Sequence, residues 1–184
     1  MNLRGHGLAE MPKSPRSSPN AVRVVDVLTF PAVQLLDVTG PVQVFASAND
    51  IVEDAGGARP YRLRLIAQDG GGVSATAGVG LAVGPLSRRG EALDTLIVAG
   101  GPGVEAAAAN PALLDWLRRR ATRAHRVASV CTGAFLLAAA GILDVRRATT
   151  RWKFCASLAQ RYPAIRVEPD PIFLCDGSAW TSAG

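Results

Sequence analysis

The stretch VASVCTGAFLLAAAG, residues 127–141, decides the fold of this 184-residue chain. Its first residues are small or β-branched and predict a strand that ends at Val130. The apolar run from Gly133 to Ala140, closed by Gly141, predicts a helix. Cys131 lies in the turn between them, as the reactive residue of a nucleophile elbow does. A strand that passes directly into a helix is typical of parallel α/β sheets.

The chemistry of Cys131 depends on how this turn presents its side chain. Ser129 and Gly133, two positions before and after it, are small and allow the backbone to turn sharply. We expect the thiol to be strained and exposed at the top of the sheet, with a pKa lowered by the helix N-terminus. The alternative is a buried cysteine that serves as a small hydrophobic side chain.

Apolar strands alternate with amphipathic helices along the rest of the chain. The predicted strands are 23–28, 61–67, 95–99, 126–130, 165–167, 172–175 and 179–182, with a small hairpin at 73–83. The predicted helices run from Thr39-Gly40-Pro41 to about residue 54, and over 112–124, 133–140 and 152–161. This order predicts an α/β fold with a mostly parallel, doubly wound, flavodoxin-like sheet.

The two ends of the chain differ from its body. Residues 1–20 are basic and rich in Pro and Ser, which predicts a disordered arm, and residues 21–184 form the predicted domain. The chain stops just after an apolar strand at 179–182, with no covering helix. Because parallel sheets are normally covered on both faces, we expect the domain to be truncated at its C-terminus, with the final helix missing.

Composition narrows the classes of function. No apolar run is long enough to cross a bilayer, so the sequence predicts no membrane association. Three widely spaced cysteines argue against a disulfide framework or a metal site and favour a reducing cytoplasm, and we expect no cofactor. The net charge is +5, with five arginines between 118 and 126. That cluster suits either nucleic acid or, as we favour, a solvated helix end.

Two further stretches supply candidate partners for Cys131. The run Gly100-Gly101-Pro102-Gly103 follows a buried strand, and its backbone N–H groups suit an oxyanion or carboxylate pocket, although a plain tight turn has the same residues. Asp37 follows the first strand, where it is either a general acid/base or a helix cap. His125 begins the strand that ends at Cys131, roughly 20 Å away, so it is not the base.

Taken together, these motifs resemble the ThiJ/PfpI superfamily, whose fold is that of the class I glutamine amidotransferases. The matching stretches are LTFPAVQLLDVTGPVQVF (28–45), DTLIVAGGPGV (94–104), RVASVCTGAFLLAAAGILDVRRATTRW (126–152) and RVEPDPIFLCDGSAWTSAG (166–184). The chain looks most like the N-terminal domain of GlxA-like, AraC-type transcription regulators, and it is also similar to isocyanide hydratase.

The resemblance implies roles for individual residues. It implies catalytic roles for Cys131 as nucleophile, Asp37 as acid/base and Thr132 beside them. From the residues themselves we expect Gly101, Gly103, Gly133 and Arg151 to bind the ligand, with Arg151 able to hold an anion or support a thiolate. The family usually reads Thr-Thr-His-Trp after the elbow helix, whereas this chain has Arg151 in the histidine position. An arginine cannot accept a proton at neutral pH, which speaks against histidine-dependent chemistry.

The resemblance leaves three functions open. The favoured one is a non-enzymatic, effector-sensing domain that binds a small molecule near Cys131 and dimerises, with DNA bound only through a C-terminal helix–turn–helix domain absent from this chain. The second is a cysteine-dependent hydro-lyase that hydrates isocyanides. The third is a redox sensor in which Cys131 is oxidised to sulfinate.

Overall fold

Strands and helices alternate in the computed structural model, which describes residues 21–88 and 90–184. The strands in this described part are β1 Arg23–Leu28, β2 Tyr61–Ala67, β3 Gly71–Ser74, β4 Gly80–Pro85, β5 Thr95–Val98, β6 Arg126–Val130, β7 Arg147–Ala148, β8 Arg166–Val167, β9 Phe173–Asp176 and β10 Ala179–Ser182. The helices are α1 Leu35–Asp54, α2 Val104–Ala108, α3 Pro111–Ala121, α4 Gly133–Ala139 and α5 Cys155–Arg161. Short 3-10 turns cover Thr76–Gly78 and Trp152–Phe154.

Eight of these strands form one sheet in the order β3-β4-β2-β1-β5-β6-β10-β9. Its central neighbours, from β4 to β10, are parallel, and only the two edge strands, β3 and β9, run antiparallel. The remaining strands, β7 and β8, pair with each other. The predicted α/β class and mostly parallel sheet are therefore confirmed. The arm predicted at residues 1–20 lies outside the described residues.

The core is built on the central strands β1 and β5. All four residues of β5 are buried, and in β1 every residue after Arg23 is buried. Strands that are covered on both sides need apolar residues at successive positions rather than alternate ones. Helix α4 closes the core, since Leu136 and Leu137 are fully buried beside these strands. The elbow segment thus supplies both a strand and a helix to one core.

The start of α1 corrects a prediction. The sequence places it at Thr39-Gly40-Pro41, but the helix begins at Leu35 and Pro41 lies inside it. Distant segments fix the start, because Leu35 N donates to Thr76 Oγ1 at 3.1 Å and Gln34 N donates to Gly100 O at 2.8 Å. The consequence is functional, since Asp37 lies in the first helical turn rather than in a loop.

Other boundaries differ by less. Helix α2, directly after the glycine run, and strand β7 were not predicted, and the helix expected at 152–161 is a 3-10 turn followed by α5. Asn110 caps the start of α3, because its side chain accepts a hydrogen bond from Leu113 N at 3.2 Å. At the opposite end of β6 from Cys131, His125 Nδ1 lies 3.2 Å from Asp94 Oδ1.

The arginines around the end of α3 serve the fold in several ways. Arg118 pairs with Asp115 at 2.6 Å and donates to Ala140 O at 3.1 Å. Arg120 is buried, and Arg126 pairs with Asp94 at 3.2 Å. These contacts fit a helix end that packs on neighbouring structure. In the part of the chain that is described, no helix is long and apolar enough to cross a membrane.

Candidate functional site

The candidate site lies where β1, β5 and β6 reach the same edge of the sheet. Strand β6 passes into Cys131, β5 passes into the Gly100–Gly103 run, and the segment after β1 leads into α1 with Asp37. Carboxyl ends of parallel strands meet at one edge, and ligands of open α/β sheets bind there. The fold therefore brings together three segments that are up to 94 positions apart in sequence.

The backbone at Cys131 adopts a conformation that a non-glycine residue rarely takes. Its φ is +54°, in the left-handed region, as the strained turn of an elbow requires. Two contacts hold it there: Cys131 N donates to Ser182 O at 3.1 Å, and Thr150 Oγ1 donates to Cys131 O at 2.7 Å. Gly133 allows α4 to approach β5, since a Cβ at this position would collide with the carbonyl oxygen of Val98.

The environment of the thiol corrects two expectations. Cys131 is only 7% exposed, so the side chain is enclosed rather than exposed. Its pKa is raised, not lowered, chiefly because burial disfavours the thiolate and further because Asp37 carries negative charge beside it. Hydrogen bonding by Thr132 and the positive charge of Arg151 oppose this rise but do not reverse it. Burial and the neighbouring carboxylate therefore both favour the uncharged thiol over the thiolate.

Asp37 is the acidic partner of this thiol. Its carboxylate is buried, accepts a hydrogen bond from Gly100 N at 3.1 Å through Oδ2, and interacts with the Cys131 side chain. Burial raises the pKa of Asp37, whereas the Gly100 N–H, the Cys131 thiol and Arg151 lower it to a smaller extent. Two titratable groups with raised pKa values thus adjoin each other in an enclosed space.

The glycine run connects these groups. Gly101 N donates to Thr132 Oγ1 at 2.9 Å, which ties the end of β5 to the elbow. At Gly100 an added Cβ would lie 2.6 Å from Thr132 N and 2.8 Å from Asp37 Oδ2, so no larger residue fits between them. Gly100 is a site residue that the sequence interpretation did not single out, although it lies within the glycine run. Glycine is needed in this run because its backbone lies in close contact with neighbouring segments.

A cavity of about 380 Å³ opens beside Cys131, and we call it the Cys131 cavity. Its lining residues are Gln34, Gly101, Pro102, Val104, Glu105, Cys131, Thr132, Phe135, Arg151, Lys153, Phe154 and Ser157. A volume of this order is typical of small-molecule sites. Gly184 also lies against the cysteine, since a Cβ there would be 3.7 Å from Sγ.

The walls of this cavity were largely missed by sequence reasoning. Phe135 comes from α4, Lys153 and Phe154 come from the 3-10 turn, and Glu105 comes from α2. Glu105 is bound by Arg161 of α5, with contacts of 2.5 and 2.9 Å. Lys153 and Phe154 lie two and three positions after Arg151, but no motif of their own marks them as site residues.

Some residues singled out from the sequence lie elsewhere. Gly103 faces a neighbouring cavity, and a Cβ there would collide with the carbonyl oxygen of Pro31. Gly133 packs against β5 and does not line the Cys131 cavity. Cys155 is buried against Thr150 O, and Cys175 lies near Gly177 O. Within residues 21–88 and 90–184, no group of His, Cys, Asp and Glu has the arrangement of a metal site.

Comparison with known proteins shows which family this chain belongs to. The family model for the DJ-1/PfpI family matches residues 23–184. The isonitrile hydratase of Pseudomonas putida is 35% identical over 162 residues, which are 87% of this chain and 64% of the hydratase. The HTH-type transcriptional regulator CdhR of Pseudomonas aeruginosa is 32% identical over 161 residues, 85% of this chain and 45% of the regulator.

Solved structures agree with the sequence comparison. A ThiJ/PfpI family protein from Pseudomonas syringae superimposes with a TM-score of 0.76 and 26% sequence identity. The match covers 98% of this chain and 69% of that protein. The sequence matches cover less than two thirds of the length of the hydratase and under half of the length of the regulator.

Proposed function

Because the chain belongs to the DJ-1/PfpI family, we propose that it is the effector-sensing domain of an AraC-type transcriptional regulator. The effector would bind reversibly in the Cys131 cavity, and DNA would be bound by a helix–turn–helix domain elsewhere in the regulator. The likeness to the regulator CdhR over 85% of this chain supports the proposal. We further propose that the domain is a homodimer and works in the cytoplasm, where its thiols stay reduced.

The enclosure of the Cys131 thiol, which is only 7% exposed, is the observation that carries this proposal. The thiolate is the nucleophilic form of cysteine, and both burial and the Asp37 carboxylate disfavour it. Arg151 occupies the place where a histidine base would be useful, and a guanidinium cannot take up the thiol proton. A neutral S–H group beside a cavity is well suited to hydrogen-bonding a ligand that is later released unchanged.

The cavity also has the connections that a sensor needs. It is bounded by the elbow, by α2 and by the turn that leads into α5. The Glu105–Arg161 ion pair joins α2 to α5 at its edge. A ligand that favours one spacing of these elements over another would shift their populations, which is how binding energy becomes a signal.

The test is a binding screen with a turnover control. Small organic acids, amines and amides are added to the protein, and the shift in its midpoint of thermal unfolding is measured. A true effector at a hundred times its Kd stabilises the folded state by about 2.7 kcal/mol. NMR of the recovered ligand should show it unchanged. Turnover of a stabilising compound at about 1 s⁻¹ or faster, a rate typical of enzymes, would refute the purely sensory function.

Isocyanide hydration is the second candidate, and the adjacency of Asp37 and Cys131 favours it. Burial raises the pKa of Asp37, which favours its role as the group that delivers and removes protons. Addition of the Cys131 S–H across the terminal carbon of R–N≡C would give a thioimidate, R–N=CH–S–Cys. Water would then replace sulfur to release the formamide R–NH–CHO and regenerate the thiol, so that one water is consumed in each cycle.

An assay for formamide distinguishes the two candidates. Phenyl isocyanide is incubated with the protein, and N-formylaniline is quantified by NMR. If hydration occurs, Cys131→Ala should abolish it and Asp37→Asn should slow it by about 10²-fold or more, the typical contribution of a general acid. Turnover that survives in the folded Cys131→Ala variant would exclude this mechanism.

A further inference from the structure

Two cationic side chains, Arg151 and Lys153, border the Cys131 cavity. In the part of the chain that the structure describes, neither Arg151 nor Lys153 forms an ion pair with a carboxylate. The neighbouring Arg161 is different, because its two terminal guanidinium nitrogens both donate to the Glu105 carboxylate. Lys153 Nζ instead lies over the ring of Phe154, 5.0 Å from its centroid. Both positive charges are therefore available to a molecule in the cavity.

The remaining walls divide the cavity by polarity. Phe135 and Phe154 supply aromatic surface, and Cys131 and Thr132 supply polar groups at the inner end. The negative charges nearby are Asp37, beside the thiol, and Glu105, which Arg161 already compensates. The lining thus combines two aromatic rings with two cationic side chains, and its one acidic side chain, Glu105, is already paired with Arg161.

We propose that the Cys131 cavity selects small organic carboxylates, held by Arg151 and Lys153 through the carboxylate and by the two phenylalanines through their apolar part. The inference rests on the proposed function, since it assumes that this cavity is the ligand site. A planar guanidinium matches the two oxygens of a carboxylate, and an ammonium adds a second charge-assisted contact. The negative charge of Asp37 beside the thiol favours the orientation in which the ligand carboxylate faces Arg151 and Lys153 rather than Cys131.

Alkylation of Cys131 offers a matched pair of probes, iodoacetate and iodoacetamide. In both reactions the thiolate sulfur forms a bond to carbon and iodide leaves. The two reagents differ only in that iodoacetate carries a carboxylate and iodoacetamide carries a neutral amide. Peptide mass spectrometry measures the two rate constants at Cys131 in the folded protein. Their ratio, acid over amide, cancels the fraction of thiolate and is compared with the same ratio in the urea-unfolded chain.

The folded protein should show an iodoacetate-to-iodoacetamide ratio about tenfold higher than the unfolded chain, the size of one charge-assisted contact. Arg151→Gln and Lys153→Gln should each lower that ratio several-fold. Arg62→Gln removes an exposed arginine of β2 outside the cavity and should leave the ratio unchanged. Because only the ratio is compared, a change in the pKa of the thiol in these variants does not imitate the effect.

Two outcomes would overturn the inference in different ways. If the ratio is equal in the folded and unfolded chains, or is unaffected by both cavity variants, the cavity does not select carboxylates, while the proposed ligand site stands. If neither reagent modifies Cys131 in the folded protein at pH 9, although the partly exposed Cys175 is labelled, the cavity is closed to small molecules. The proposed function then fails together with the inference.

Discussion

Replacing Gly100 by alanine tests whether the close approach of three segments holds the site together. The added Cβ would lie 2.6 Å from Thr132 N, 2.7 Å from Thr132 Oγ1 and 2.8 Å from Asp37 Oδ2. Gly100 is not in the left-handed region, so alanine causes no backbone strain and the effect is steric. The elbow and α1 are both packed on the core, and neither can retreat by several tenths of an ångström without cost.

The expected loss follows from these contacts. Overpacking of a dense interior costs about 1–3 kcal/mol. The displacement also weakens the bonds from Gly100 N to Asp37 at 3.1 Å and from Gly101 N to Thr132 at 2.9 Å, each worth roughly 1 kcal/mol. We expect the free energy of unfolding to fall by about 2–4 kcal/mol, which a domain of ordinary stability survives.

Urea unfolding followed by circular dichroism measures this loss. Gly72→Ala is the matched control, because a Cβ at that position meets nothing within 4 Å and its backbone is not in the left-handed region. The control should change the free energy of unfolding by less than about 0.5 kcal/mol. If Gly100→Ala is as stable as Gly72→Ala, the tight junction described for the site does not exist in solution.

Three further measurements test the site. Asp37→Asn should stabilise the protein at pH 7, since a pKa raised by burial makes wild-type stability fall as pH rises from the unfolded-state pKa of 3.8 to the folded one. The gain in stability should vanish near pH 3, where Asp37 is protonated in both the folded and the unfolded protein. Urea unfolding at pH 7 and pH 3 measures it. A gain that does not depend on pH would contradict the burial argument. Thr132→Val should cost about 1–2 kcal/mol in urea unfolding, because Gly101 N loses its acceptor, whereas Thr39→Val on the exposed face of α1 should cost less than about 0.5 kcal/mol. Iodoacetamide should alkylate Cys131 ever faster up to pH 9, since the pKa of the thiol is raised, and a plateau below pH 8 would be inconsistent with an uncharged thiol.

Much of the fold could be predicted because its signals are local. The strands β1, β5 and β6 are runs of apolar residues, and burial on both sides makes such runs continuous in the sequence. The start of α1 could not be predicted, because Thr76 supplies the acceptor for Leu35 N from 41 positions away. Within the local sequence, Pro41 is the strongest signal for a helix start, so the predicted boundary falls there.

The candidate site divides in the same way. The elbow at Cys131, the glycine run and Asp37 are each visible as short motifs, and parallel strands bring their ends together. The aromatic and cationic walls have no such motif, because Phe135 reads as a core residue of a helix and Lys153 as an ordinary surface residue. They become cavity residues only when the turn before α5 is placed against the elbow.

By itself, the amino-acid sequence determined the α/β class, the strained turn at Cys131 and the position of Asp37 after the first strand. Those features follow from hydrophobic period, from small residues at fixed spacing and from chain direction in a parallel sheet. Only the tertiary structure decided that the thiol is enclosed and that its uncharged form is favoured. The pKa depends on desolvation and on the charge of Asp37, and both are created by segments distant in sequence that pack around one sulfur atom.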